Sequence, residues 1–384
     1  MTSSQIFLKT IILHTVELDV PRNVADERLE ELRNLIQTVG GIVIKKIIQR
    51  RGRPSAKTFL GSGKIEEAAQ FAREQNIDLV IINGILKPNQ YLHLQNMFPG
   101  KMLWDRTDLI LNIFDKHASS NLSQLQIKLA RLHHEIPKIY SRNATTLFER
   151  AGAGIGTRGP GEKGIEDEKR HIRRQIKSLE EKIKILHRTY MGQRQNRERT
   201  GLPTAALVGY TNAGKSSLMT LLTRKPGVVA SSALFTTLDT KIGKAFLGIS
   251  GKALLVADTI GFISDLPPTL ISSFLTTLQE AREADLLLHV IDASDTDFQK
   301  KIEVVEDILK QIGCDTIPRM YIFNKIDQCA STNLDPILNQ YSEYSPVALS
   351  CSTEEGLEKL KQILSEFLST LPFLFQKDML LMKP

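Results

Sequence analysis

Along the chain the spacing of apolar and polar positions changes several times, and each change marks an element. MTSSQIFLKTIILHTVELDV is apolar but broken by Lys9 and His14, with no small-residue cleavage site after it, so it predicts a first strand rather than a leader. IVIKKIIQ (42–49), DLVIING (78–84) and KMLWD (101–105) read as further strands. Between them, VADERLEELRNLIQTV (24–39) and KIEEAAQFAREQ (64–75) carry apolar residues at helical spacing, and Gly40-Gly41 stops the first. Alternating strand and helix predict a small α/β domain over 1–110 with a mostly parallel sheet.

The period then lengthens. Leu122, Leu125, Leu129, Leu132 and Ile136 step by three and four residues before Pro137, which is expected to close the run. Ile172, Ile176, Leu179, Ile183, Leu186 and Tyr190 repeat the step. Two heptad seams predict an antiparallel helical hairpin over 111–199. Between them lies SRNATTLFERAGAGIGTRGPGEKG (141–164), with six glycines, Phe148 and the cations Arg142, Arg150, Arg158 and Lys163. Such glycine density predicts a contact loop rather than a regular helix. From 200 to 370 the strand–loop–helix pattern returns as a third domain, followed by a short tail at 371–384. The fold expected is α/β: an amino-terminal α/β domain, a helical hairpin, and a domain with a mostly parallel sheet and helices on both faces.

Composition narrows the class. Of 384 residues, 41% are hydrophobic and 24% charged, the balance of a soluble globular chain. No apolar run reaches the roughly 20 residues needed to cross a bilayer. Cys314, Cys329 and Cys351 are too few and too scattered for a disulfide framework or a zinc site, so a cytoplasmic protein is expected. The net charge is +7, but 121–200 alone carries an excess of +9 and the rest of the chain −2. Positive charge gathered in one segment is the footprint of a nucleic-acid partner, against the alternative of a solvated helix face.

The chemistry is written after residue 204. Gly209-Tyr210-Thr211-Asn212-Ala213-Gly214-Lys215-Ser216 matches G-x-x-x-x-G-K-S between the apolar strand Ala205–Val208 and the helix-forming Ser217–Leu222. The glycines let backbone N–H groups wrap phosphates at a helix N-terminus. Lys215 reaches the β- and γ-phosphates, and the Ser216 hydroxyl takes a place on Mg²⁺. GSGK at 61–64 is a decoy, because Thr58 and Ile65 stand where Gly and Ser/Thr are required. ALLVADTIG (253–261) is a strand ending in Asp258, then Thr259, Ile260 and Gly261. The carboxylate would hold a water on Mg²⁺ and the Gly261 N–H would sense the γ-phosphate. Asn324-Lys325-Ile326-Asp327 follows the strand RMYIF (319–323) and selects guanine, since a carboxylate pairs with guanine N1–H and N2–H₂ but finds no such donors on adenine. The Lys325 stem can cover the base and Asn324 can reach N7. Ser350-Cys351-Ser352 stands where a backbone N–H would meet O6.

With GYTNAGKS, LFTTLD, DTIGF and NKID assembled, together with GAGIGTRGPGE upstream and DRTDLILNIF at 105–114, nearly the whole chain resembles the HflX family of translation-factor-class GTPases. The resemblance implies that Phe235, Thr236, Thr237, Leu238 and Asp239 form switch I, with Thr237 a second protein ligand of Mg²⁺ and, beside Lys215 and Gly261, part of the catalytic set. It implies GTP hydrolysis, association with the rRNA of the large ribosomal subunit through Arg142, Arg150, Arg158 and Lys163, and GTP-dependent splitting or rescue of stalled or idle ribosomes. It leaves room for a second nucleotide at the amino-terminal domain and for peripheral membrane association; a monomer is expected. The chain departs from the family pattern at Lys163-Gly164, at the first Thr of Phe-Thr-Thr, and at Cys351 in place of Ala. Phe262 follows Gly261 where Ras-type GTPases carry a water-orienting Gln, so hydrolysis by the free protein should be slow. A second reading is a regulatory GTP-binding adaptor that works through a protein partner.

Overall fold

The computed structural model describes residues 7–151, 160–198, 201–224, 239–248, 252–267, 270, 274, 278–329 and 334–370. The chain divides into two compact units, one of 1–184 with 267–273 and one of 185–266 with 274–384. The division falls inside the segment 111–199.

In the first unit, β1 (Leu8–Val16), α1 (Arg22–Thr38), β2 (Gly41–Arg50), α2 (Ser62–Glu74), β3 (Leu79–Ile82), α3 (Pro88–Met97), β4 (Met102–Trp104) and α4 (Arg106–His117) alternate as the sequence pattern predicts. The strands lie in the order β2-β1-β3-β4 and every pair is parallel. Both faces are covered from Thr10 to His14 of β1 and along all of β3, so these side chains are buried whichever way they point. Ile11, Leu13, Val80 and Ile82 pack with Ile65, Ala68 and Ala72 of α2 and with Leu94 of α3. The Gly61-Ser62-Gly63-Lys64 decoy is the start of α2, with Gly61 at its N-cap.

Two long helices follow, α5 (Asn121–Ala151) and α6 (Pro160–Glu198). Here the structure corrects two expectations. Pro137 does not close the first run but lies inside α5. The turn across it is tied down on both sides, because His134 bonds Asp105 and Asp108 while Lys138 pairs with Asp108 at 2.8 Å. Those ties offset the backbone bond that proline removes. The expected contact loop 141–164 is helical in most of its length, since α5 runs on to Ala151 and α6 begins at Pro160. Residues 141–151 contain no glycine, and proline is well suited to a first helical position. The seam of α6 is visible as a less exposed stripe at Ile172, Ile176, Leu179, Ile183 and Leu186, while Tyr190 is exposed. In α5 Leu122 of the expected seam is buried, but the other buried positions, Ser123, Gln126, Ile127, Ala130 and Lys138, lie off it, and the helix packs against α3 and α4.

The second unit holds β5 (Thr204–Val208), α7 (Lys215–Thr223), β6 (Lys241–Phe246), β7 (Ala253–Asp258), α8 (Gln279–Arg282), β8 (Leu286–Asp292), α9 (Phe298–Gln311), β9 (Arg319–Asn324), α10 (Asp335–Gln340), β10 (Val347–Ala348) and α11 (Leu357–Thr370). Its sheet runs β10-β9-β8-β5-β7-β6, parallel except for the edge strand β6. Leu207, Val256, Leu288 and Ile322 meet Leu218 of α7 and Leu360 of α11 in one core, while Ile291, Tyr321 and Phe323 meet Ile302 of α9 in another. The carboxyl ends of β5, β7, β8 and β9 therefore open toward a common edge, where ligands bind in open α/β sheets. No described helix is long and apolar enough to cross a membrane.

Candidate functional site

At the end of β5 the chain turns through Gly209 at φ +146°, and a Cβ there would stand 2.2 Å from the Val290 carbonyl oxygen of β8. Gly214 at φ +100° ends the loop as the N-cap of α7. Both positions need glycine, for close approach and for backbone angle alike, since a Cβ on Gly214 would stand 2.1 Å from Asn324 Nδ2. Asn212 also takes a left-handed conformation, φ +63°. The loop so formed sets successive N–H groups over the N-terminus of α7, the geometry that receives phosphate oxygens. Lys215 is buried, and its Nζ donates to the carbonyls of Gly209 (3.0 Å) and Tyr210 (2.8 Å). Burial lowers its pKa to about 8 against the opposing pull of the Asp258 carboxylate.

Ser216 Oγ donates to Asp258 Oδ2 at 2.6 Å. A hydroxyl and a fully buried carboxylate side by side are hard oxygen donors, the set that suits a hydrated Mg²⁺ beside phosphates, so these residues fit the metal. Thr259 has a different task, its hydroxyl donating to the Leu207 carbonyl within the sheet at 2.6 Å. Ile260 is buried, and Gly261 lies so close to the loop that a Cβ would meet Thr211 Cγ2 at 2.9 Å and Lys215 Nζ at 3.1 Å. Phe262 zips onto the phosphate loop by two backbone bonds, its N–H donating to Gly209 and its carbonyl accepting from Thr211. One further tie is Tyr210, whose hydroxyl accepts from the Ser264 N–H at 2.8 Å. Lys301 Nζ lies 5.2 Å from the centre of the Tyr210 ring.

On the opposite side of the loop, Asn324 Nδ2 donates to the Ala213 carbonyl (2.8 Å) and its Oδ1 accepts from the Cys351 N–H (3.0 Å). One buried amide thus joins the loop 209–216, β9 and the 350–352 turn. Asp327 is exposed, and both its oxygens are aligned by hydroxyls, Ser350 Oγ at 2.6 Å and Ser352 Oγ at 2.9 Å. Those two bonds hold its pKa below the ordinary carboxylate value. The Ser352 N–H donates to Ser350 Oγ, and burial pushes the Cys351 thiol up to about 12. Lys325 and Ile326 begin the short 3₁₀ turn that presents Asp327.

The sequence motifs thus converge on one end of one sheet. Asp239 lies just before β6, whereas Phe235, Thr236, Thr237 and Leu238 fall outside the described residues, and with them the expected Thr237 ligand. Arg142 and Arg150 fall on α5 and Lys163 on α6, while Arg158 is outside the described residues. The helices do offer a described basic surface that the sequence analysis did not name. Lys128 and Arg131 of α5 and Arg174 and Lys182 of α6 line a groove of about 600 Å³, with Glu135 as its one acid.

Three family models cover the chain in succession. "GTP-binding GTPase N-terminal" matches 26–115, "GTP-binding GTPase Middle Region" 117–197, and "50S ribosome-binding GTPase" 204–325. The GTPase HflX of Caldanaerobacter subterraneus is 39% identical over 91% of this chain and 80% of its own length. That of Escherichia coli is 37% identical over 89% and 79%.

The chain belongs to the HflX family of GTPases. Among solved structures, a GTP-binding protein from Sulfolobus solfataricus in complex with GDP matches over 95% of this chain and all of its own, at 26% identity and a TM-score of 0.51. Membership in the HflX family makes this a GTP hydrolase built on a P-loop domain. The Asp327 carboxylate, aligned by two hydroxyls, and the Gly209–Ser216 loop lie at the same end of the sheet, where the sequence motifs expect guanine and phosphates.

Proposed function

We propose that this GTPase binds the large ribosomal subunit and uses its GTP-bound state to split or rescue stalled or idle 70S ribosomes, hydrolysis resetting it. The observation that carries the reading is the concentration of positive charge over 121–200, an excess of +9 most of which lies on α5 and α6, in a chain whose P-loop domain matches a ribosome-binding GTPase model. Phosphate backbones are the partner that such a surface fits, and the basic lining of the groove at Lys128, Arg131, Arg174 and Lys182 supports the reading.

At the nucleotide end, the N–H groups of 211–216 hold the phosphates, and Lys215 leaves its carbonyl partners for phosphate oxygens. Ser216, with Asp258 through a water and Thr237 from switch I, would hold Mg²⁺. That ion would neutralise charge on the β- and γ-phosphates during transfer to water. Asp327, Asn324 and the 350–352 turn read guanine, and Gly261 reports the γ-phosphate to the segment that follows it. Turnover by the free protein is slow and rises with large subunits.

The test is sedimentation of 70S ribosomes with this protein and GTP, GDP or a non-hydrolysable GTP analogue, repeated with Arg150 and Arg158 both changed to Ala. The wild type should yield free subunits with GTP or the analogue but not with GDP. The double variant should bind large subunits more weakly and with a shallower salt dependence, at unchanged GTP affinity. Wild-type splitting by the double variant, together with hydrolysis that stays flat across a large-subunit titration, would instead favour the protein-binding adaptor.

A further inference from the structure

Lys325 has an unusual posture for a cation on a loop. Its backbone is left-handed, φ +64°, at the head of the turn that presents Asp327. Its Nζ is held by Asp292 Oδ2 at 2.6 Å, and both side chains are about four-fifths buried. Asp292 is itself fixed. It ends β8, faces Asn324 in the register of β8 with β9, and its Oδ1 accepts from both the N–H (3.1 Å) and the hydroxyl (2.6 Å) of Ser294. The Ala293 N–H donates to the Asn324 carbonyl at 2.9 Å, so the Asp292 backbone is tied to the very strand end that carries Lys325.

We propose that Asp292 is a positioning residue for guanine nucleotides: by anchoring the Lys325 ammonium to the end of β8 it holds the aliphatic stem of Lys325 as a rigid wall for the base. An unanchored lysine on a turn would sample many rotamers, and freezing it on binding would cost affinity for every nucleotide. Anchored beforehand, the four-carbon stem is already in place and already shields the base plane from water. The ion pair is only partly exposed and lacks the full solvent screening of a surface pair. The arrangement distinguishes two functions on one turn, with Asp327 choosing the base by its hydrogen-bond pattern and Asp292, through Lys325, setting how tightly any base so chosen is held. The proposal rests on the guanine-pocket reading of Asp327.

The test is a double-mutant cycle on the full chain, read by titration with fluorescent GDP and by steady-state GTP hydrolysis. Asp292→Asn should weaken GDP and GTP about tenfold, by roughly the free energy of a lost charge-assisted bond, and raise KM with kcat unchanged. Lys325→Ala should weaken both nucleotides at least as much. The double variant should be no worse than Lys325→Ala alone, and Asp292→Glu should restore part of the affinity. Ser294→Ala, which removes one bond steering Asp292, should give a smaller loss of the same kind and serves if Asp292→Asn does not fold. Additive effects of the two substitutions, or a normal KM for both Asp292→Asn and Ser294→Ala, would overturn the proposal. Asp327→Asn separates the two levels, since it should shift preference from guanine toward xanthine nucleotides. If it does so while Asp292→Asn is neutral, the inference about Asp292 fails alone; if base preference does not change, the pocket reading fails first.

Discussion

Gly214 and Asn324 are separated by 110 positions in sequence, yet a Cβ on Gly214 would stand 2.1 Å from Asn324 Nδ2. The contact places the end of β9 directly on the loop 209–216, and it explains why the second loop glycine is needed for space as well as for its φ of +100°. Gly214→Ala should therefore break the bond from Asn324 to the Ala213 carbonyl and strain the N-cap of α7, at a cost of about 2 kcal/mol or more. Affinities for GDP and GTP should fall together, since the damage lies between base and phosphates. Nucleotide titration and a thermal melt would check this, and an unchanged affinity would mean that Asn324 can move aside freely.

On the proposed reading, the bonded Ser216 hydroxyl and Asp258 carboxylate would be the metal end of the site. Ser216→Asn should weaken GTP more than GDP and lower the Mg²⁺ dependence of GTP binding by roughly tenfold or more, because the amide replaces a hard donor at a crowded position. Titration of fluorescent GTP at stepped Mg²⁺ concentrations measures it. Equal loss for GTP and GDP, independent of Mg²⁺, would place the ion elsewhere.

Much of this site was legible because its chemistry needs contiguous residues at fixed spacing. The phosphate loop must pass from strand to helix within a few residues, and the guanine reader must sit at a strand end, so both leave readable motifs. What escaped the sequence depends on partners far apart in the chain. Asp292 looks like any acid closing an apolar strand until its ion pair with Lys325 is seen. Only Gln90 and Leu94 of α3 are deeply buried, too few to give a helical period. In α5 the deepest stripe includes Ser123, Gln126 and Lys138, so a search for apolar seams found the shallower stripe at Leu125, Leu129 and Leu132. The burial of Ser123 and Lys138 is invisible to hydropathy, because what permits it is bonding, to the Ser120 carbonyl and the Asp108 carboxylate, that closes only in the folded state.

The bonding around Asp108 makes the first unit sensitive to pH. His134 Nε2 lies 3.1 Å from Asp105 Oδ1 and 3.2 Å from Asp108 Oδ1 at the N-terminus of α4. Burial by itself would lower the imidazole pKa, but the bonds and charges of the two carboxylates prevail and raise it to about 9. Asp108 goes the other way: burial opposes ionisation, and His134 with Lys138 overcomes it, lowering the pKa to about 2. A group whose folded pKa is raised stabilises fully below its unfolded value, here about 6.5, and its contribution is lost as pH climbs through 9. Asp108 contributes above about 3.8 and loses that contribution as pH falls through 2. Urea unfolding followed by Trp104, the single tryptophan and the neighbour of Asp105, should therefore show stability declining between pH 6.5 and 9. His134→Gln should flatten that limb. A wild-type slope surviving in the variant would assign the alkaline loss to another group.

Phe262 carries the last prediction, because its position separates two expectations for hydrolysis by the free protein. Its side chain is 1% exposed, and its backbone is clasped on both sides, the N–H by Gly209 and the carbonyl by Thr211. A glutamine at that place in Ras-type enzymes orients the attacking water, which invites the idea that Phe262→Gln would raise the rate. The geometry argues against it. The side chain is buried, so a glutamine there would lose apolar burial and take an amide out of water, destabilising the domain by about 2–4 kcal/mol. Hydrolysis by the free variant should be no faster than wild type, while its melting temperature should fall by several degrees. Large subunits should still stimulate wild-type protein, since the partner must supply or arrange the group that positions water. Single-turnover hydrolysis and a thermal melt on the same preparation decide the matter: a variant that is stable and faster would show that this side chain can turn toward the γ-phosphate.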